Sequence, residues 1–213
     1  MSEMTDSNTP DYDGTLKQTV IETPLNDSNT IIRVRSFTWI WFIDKERIDN
    51  IEPAQCGKWM FFFSPFKTAR MDDIVGTAVL NGVVAEAKYS NPETLIAAGQ
   101  KNGVCCLYLN GNDREGHKRV LRYMLDNGLI RKTKSGRLYN ISFKYDSQTY
   151  AEKYKGSGFA GEIKLADFVD LETGEFVLGR GLRAQNACAR QVELTHDYVC
   201  RHIICSLPRV TSL

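Results

Sequence analysis

The stretch Gly57-Lys58-Trp59-Met60-Phe61-Phe62-Phe63-Ser64 sets the fold. It is a short, continuous apolar and aromatic run ended by Pro65, which is the pattern of a strand buried on at least one face. A helical pattern follows it. Phe66, Ala69, Met71, Ile74, Val75, Ala78, Val79 and Leu80 recur at helical spacing up to the stop signal Asn81-Gly82. Val83 to Ser90 reads as a second strand and Val104 to Leu109 as a third, with a short helix expected between Asn91 and Lys101. The turn Asn110-Gly111-Asn112-Asp113 leads into an amphipathic helix carrying Val120, Leu121, Met124 and Leu125, ended by Asn127-Gly128. Leu138 to Tyr145 alternates cleanly and predicts a fourth strand.

Strand, helix, strand, strand, helix, strand is a split βαβ order. It predicts an α+β domain with a largely antiparallel sheet, helices on one face and the other face open. Upstream, Ile31 to Phe37 predicts a strand, and Trp39, Trp41 and Ile43 share one face of a further extended segment. Lys45 to Ile51 suggests a helical turn. Downstream, the sequence suggests a turn and short helix over Asp146 to Lys155, a strand over Phe159 to Leu165 and a turn over Asp170 to Phe176. A helix is suggested over Ala184 to Val192. The expected organisation is an acidic, polar arm over residues 1–30, the α+β domain over 31–178 and an extension over 179–213.

The chain has 213 residues, of which 42% are hydrophobic and 25% charged, which excludes a collagen-like, coiled-coil or wholly disordered protein. Its 27 basic residues against 26 acidic ones argue against duplex DNA as a partner. The balance is uneven, however. The arm holds Glu3, Asp6, Asp11, Asp13, Glu22 and Asp27 against Lys17 alone, so residues 30–213 carry 26 bases and 20 acids. No run approaches the roughly 20 apolar residues that span a bilayer, and residues 1–29 contain no apolar signal core. The expectation is therefore a protein of the cytoplasm or nucleus whose six cysteines are thiols, with no membrane partner. Adjacent Cys105 and Cys106 should face opposite sides of their strand.

Gly57-Lys58-Trp59-Met60, Ala87-Lys88-Tyr89-Ser90, Val104-Cys105-Cys106-Leu107-Tyr108 and Phe143-Lys144-Tyr145-Asp146-Ser147-Gln148-Thr149, with Tyr154 beyond them, resemble motifs of the basophilic leukaemia expressed protein family. The resemblance covers somewhat under half the chain. It implies a fold like that of the cap-binding translation initiation factor 4E, a curved antiparallel sheet with helices on its convex side. Members of that family are sometimes labelled phosphothreonine lyases.

Lys58, Lys88 and Lys144 each fall on a different predicted strand, flanked by apolar residues. Burying an ammonium is costly, so lysines in such places call for a partner. If they share a face, three cations converge on the open side as a cradle for a phosphate or carboxylate. Tyr108 and Tyr145 would add stacking or hydroxyl contacts, and Arg137 and Lys153 would stand at the rim. The bland alternative is that each lysine reaches solvent or pairs with an acid such as Glu86 or Asp146. The candidate ligands are a nucleotide, RNA or a phosphopeptide. Two alternatives stand beside this binding module: a lyase using Lys88 or Lys144 as base, and a protein-interaction scaffold.

Other residues are expected to be structural. Trp39 and Trp41, two apart on one segment, cannot sandwich a base between them, so core packing is the expected role of all three tryptophans. His117 is expected on the surface of its helix. His196, Cys200, His202 and Cys205, with Cys188 upstream, offer zinc-type ligands without a recognised zinc spacing, so no metal and no cofactor is expected. The basic run Arg131 to Arg137 and the glycines around Gly156 and Gly179 read as loops.

Overall fold

The computed structural model describes residues 21–66, 68–150 and 161–177. Seven strands form one sheet: β1 (Ile21–Pro24), β2 (Ile31–Arg35), β3 (Trp39–Asp44), β4 (Cys56–Phe63), β5 (Glu86–Ser90), β6 (Gly103–Asn110) and β7 (Lys144–Tyr145). Their spatial order is β1-β2-β3-β5-β6-β4-β7, and every pairing is antiparallel. The helices are α1 (Met71–Leu80), α2 (Pro92–Ala97), α3 (Arg114–Asp126) and α4 (Asp146–Tyr150). This is the α+β architecture with an open antiparallel sheet that the element order predicts.

The local signals explain the boundaries. Asp113 caps α3 by accepting the Gly116 amide at 2.8 Å, and Asn91 caps α2 by accepting that of Glu93 at 3.2 Å. Gly82 and Gly128, each at positive φ, follow α1 and α3. On one side of the sheet Phe42, Trp59, Phe61, Phe63, Ala87, Tyr89, Cys105, Leu107 and Leu109 pack with Ile74, Val75, Ala78 and Val79 of α1. Val120, Leu121 and Met124 of α3 complete this core. Arg47 ties α1 down at its far end, donating to the carbonyls of Val79, Gly82 and Val84 while its Nε meets Asp44. This adds a side-chain donor to the last turn of α1 at Val79 and satisfies carbonyls of the segment that follows it.

Three expectations are corrected. Ile21–Pro24, counted within the arm, is a strand paired with β2, so regular structure begins ten residues before Ile31. The strand predicted over Leu138 to Tyr145 shrinks to Lys144–Tyr145; the rest makes isolated bridges, Leu138 with Lys132 and Ser142 with Lys164. In place of a strand running to Leu165, residues 165–167 form a 3-10 turn. The Asp170 turn is present, with Asp170 accepting the amides of Glu172 and Thr173. The expected helix at 184–192 and the glycine pieces at 156–158 and 179–181 lie outside the described residues. Among the described residues, no helix is long and apolar enough to cross a membrane.

Candidate functional site

Strand alternation sorts the predicted residues onto faces, and the register then makes them neighbours. Lys58 on β4 stands directly opposite Tyr108 on β6 and, on its other side, Lys144 on β7. Tyr108 in turn stands opposite Glu86 on β5. One step along, Lys88 on β5 lies between Trp41 on β3 and Cys106 on β6. All three lysines therefore share the face away from α1 and α3. Part of this face is hidden too: Lys58 is 8% exposed, Lys144 6% and Tyr108 5%, while Lys88 and Glu86 are partly exposed.

β7 can approach β4 this closely because Gly57 has no side chain. A Cβ there would lie 2.5 Å from the Phe143 ring and 2.8 Å from the Lys144 carbonyl. The glycine thus puts the Lys144 side chain beside that of Lys58.

Each ammonium has its own surroundings. Lys58 Nζ meets Asp146 Oδ1 at 2.5 Å, and the Cys56 thiol approaches the second carboxylate oxygen at 3.5 Å. Lys88 Nζ lies 4.3 Å from the centre of the Trp39 ring, 4.1 Å from that of Trp41 and 5.4 Å from that of Tyr108, a three-sided aromatic box. The attraction comes from the negative faces of the rings and stabilises a half-buried cation without neutralising it. Lys58 Nζ is also 5.4 Å from the Tyr108 ring centre, so the two ammoniums are separated by no more than twice that distance. That bound is close to the ~8–10 Å over which charges are felt at ordinary salt.

Burial, and next the charge of Lys58, hold the Lys144 amine below the ordinary lysine range, while Asp146 opposes them. The Cys106 thiol, buried between Lys58 and Lys88, is pushed up by desolvation and drawn back by both cations. Tyr108 is pushed well up, by burial first and then by Cys106, Asp146 and Glu86. The face therefore keeps its thiol and phenol protonated. Among the described residues, no group of three or more His, Cys, Asp or Glu converges as a metal site.

Several candidates lie elsewhere. Tyr145 alternates to the helix-covered side, where its ring packs edge-on against Phe143, so it does not share the face of the lysines. Arg137 pairs with Glu172 at 3.2 Å. Lys153, His196, Cys200, His202 and Cys205 lie outside the described residues. His117 is the clearest correction, being fully buried rather than on the surface. Its Nδ1 accepts the indole N–H of Trp59 at 2.9 Å, so Nε2 carries the proton and donates to the Gly111 carbonyl at 3.0 Å. A histidine sealed in this way cannot serve as an acid on the lysine face.

The tryptophans divide. Trp59 is core, as expected, whereas Trp39 and Trp41 flank Lys88 with ring planes tilted by 58°. Their i, i+2 spacing announces a shared face; only the pairing of β3 with the non-consecutive β5 shows what they enclose. Cys106 was missed as a member of the site because its role depends on that same pairing.

No protein-family model matches the chain, and no curated protein matches it.

Proposed function

We propose that this face is a binding site for a small phosphorylated or otherwise anionic ligand, such as a nucleotide or the phosphoryl group of RNA or a phosphopeptide. Lys58 and Lys88 supply positive charge, Lys144 supplies further N–H donors, and the Tyr108 ring lies beside Lys58 and Lys88. One observation carries the reading: the register puts three lysines of three strands on one face, Lys58 and Lys88 beside the Tyr108 ring and Lys144 directly opposite Lys58, with Lys58 and Lys144 buried. An ammonium already out of water gains more from an anion than an exposed one does, because the desolvation cost is already met in the folded state. The resemblance of residues 57–154 to the basophilic leukaemia expressed family points the same way, since all three lysines fall inside its motifs. The finer likeness to translation initiation factor 4E is part of this proposal.

Thermal unfolding with inorganic phosphate, nucleoside triphosphates, a capped dinucleotide and a phosphothreonine peptide tests it. A ligand at ~100 times its Kd stabilises by about 2.7 kcal/mol, which is a shift of roughly 5–10 °C for a chain of this size. The shift should vanish in Lys58→Met/Lys88→Met. No shift with any member of the panel would reject the site and leave the scaffold reading in its place.

A further inference from the structure

We infer that the exposed end of this face is a platform for single-stranded RNA, with one base stacked on Phe62, another on Trp39 and the sugar–phosphate backbone held by Lys88. The role of Lys88 rests on the function proposed above; the two rings are an independent observation.

The register lays the platform out. Phe62 on β4 stands opposite Val104 on β6, and Trp39 on β3 stands opposite Ser90 on β5. The Ser90 hydroxyl links the two pairs, accepting the Val104 amide at 3.1 Å and donating to the Val104 carbonyl at 3.3 Å. Since β3, β5, β6 and β4 are neighbours in that order, the four residues form one row across the sheet. A ring stands at each end, with two small side chains between. Alternation puts Phe62 on the same face as Lys58 and Met60, and Trp39 on the same face as Trp41. Of the aromatic residues on the described strands, Phe62 alone is exposed, at 57%. It forgoes the burial that stabilises the other rings of its strand. Met60, Val104, Lys88 and Trp39 around it are partly exposed, so the ring belongs to an accessible patch rather than standing alone.

Span, shape and charge commit this row to a strand of nucleic acid. The two rings lie three strand spacings apart, roughly 14 Å, so no single base covers both and a chain of several nucleotides does. Ser90 and Val104 keep the floor between the rings low, and the Ser90 hydroxyl is already bonded, so the floor asks for no particular base. Stacking suits this, because every base has a π-face. The charge has the matching sign. The Lys88 ammonium lies 4.3 Å from the Trp39 ring centre, within reach of the backbone that joins stacked bases. Lys101 is exposed just ahead of β6, whose first residue, Gly103, pairs with Phe63 at the same end of the sheet. Glu86 stands away from this end, opposite Tyr108. A duplex hides the base faces that the rings require.

Fluorescence anisotropy tests the platform. Full-length protein is titrated into a labelled oligouridylate of ten nucleotides between 50 and 200 mM salt. A two-nucleotide oligomer, the DNA strand of matching sequence and an RNA duplex are run in parallel. Phe62→Ala removes an exposed ring and should leave Tm unchanged while weakening binding about 10-fold; Phe62→Trp should restore it. Trp39→Leu should weaken binding by a similar factor. Lys88→Met should lower the slope of log affinity against log salt by about 0.7. The two-nucleotide oligomer should bind at least about 10-fold more weakly than the longer one, and the duplex should not compete. Equal binding of the DNA strand supports the platform, since stacking does not depend on the sugar. Ring-dependent binding that Lys88→Met leaves unchanged supports the stacking and removes the lysine from it. Binding unmoved by both Phe62→Ala and Trp39→Leu overturns the inference. Failure of the ten-nucleotide strand to bind also overturns it, and if phosphate, a nucleotide or a phosphopeptide still shifts thermal unfolding, the function proposed above stands without it.

Discussion

On one side, strand β4 offers Trp59, Phe61 and Phe63 to the helices; on the other it offers Cys56, Lys58, Met60 and Phe62. Both sides bury their central residues, yet they do so by different physics. Around β4 on the helix side, the polar groups are a closed pair: Trp59 donates to His117, and His117 donates to Gly111. Neither is ionised, and aromatic rings close in from Phe143 and Phe168; further along this side the charges of Arg33 and Asp72 pair with each other, and Tyr89 donates to Asp72. On the lysine side, charge is retained, balanced by Asp146 for Lys58 and by ring faces for Lys88. A neutral, fully satisfied network serves stability alone. Cations kept at the expense of desolvation are the arrangement expected of a surface that meets something else.

Deletion should separate the two sides most sharply. Trp59→Ala removes a fully buried ring and leaves His117 without its donor, so it should cost about 3–5 kcal/mol in urea unfolding. Replacing Lys58 and Asp146 together by Met and Leu should be nearly neutral, because a buried ion pair exchanged for apolar groups loses little net energy. Asp146→Leu alone should cost less than Trp59→Ala, about 1–3 kcal/mol, since the pair keeps some contact with water. A double replacement as costly as Trp59→Ala would show that the lysine side is as structural as the core.

pH gives a second, smaller separation. Burial holds His117 below its ordinary value. Below about pH 6.5 the unfolded chain therefore binds a proton that the folded chain refuses. Stability then falls as pH drops from that point, and it levels off only below the folded value. The loss is measured by unfolding at fixed pH values across this window, and His117→Gln should flatten it. Lys144, also held low, follows the same sign in an alkaline window. Stability there rises with pH until the unfolded lysine loses its proton near 10.4, and Lys144→Met should remove that rise. An acid limb unaffected by His117→Gln would mean that carboxylates, not the core, set it.

The helix-covered side was the legible one. Periodicity placed α1, α3 and strands β4 to β6, because burial against helices imposes a pattern that can be read along one segment. Placing Lys58, Lys88 and Lys144 on one face was also within reach, as each alternates with core residues of its own strand. Their partners were not. The aromatic box depends on β3 lying next to β5, and the Lys58–Lys144 pair on β7 lying next to β4; both contacts join segments more than 40 residues apart. The burial of His117 was illegible for a related reason: at the first turn of α3 the residue reads as surface until Trp59 is known to reach it. The short strand β1 lacks the apolar alternation that announced β2, and it exists through backbone pairing alone.

The finest separation concerns Lys88 itself, and whether the rings of Trp39 and Trp41 attract its charge or only exclude water from it. Trp41 is buried and will lose packing energy on any truncation, so Trp39, which is partly exposed, is the better probe. A double-mutant cycle on Trp39→Leu and Lys88→Met removes the common packing loss and leaves the coupling. Attraction between charge and ring predicts a coupling of about 0.5–1 kcal/mol, insensitive to added salt because no counter-ion is displaced. Simple exclusion of water predicts a coupling near zero. The first result would make the box a device for keeping Lys88 charged while partly out of water, which is what an anion-holding face requires. The second would make Lys88 a hydrocarbon stem whose charge is incidental, and the face would then differ from the core in degree only.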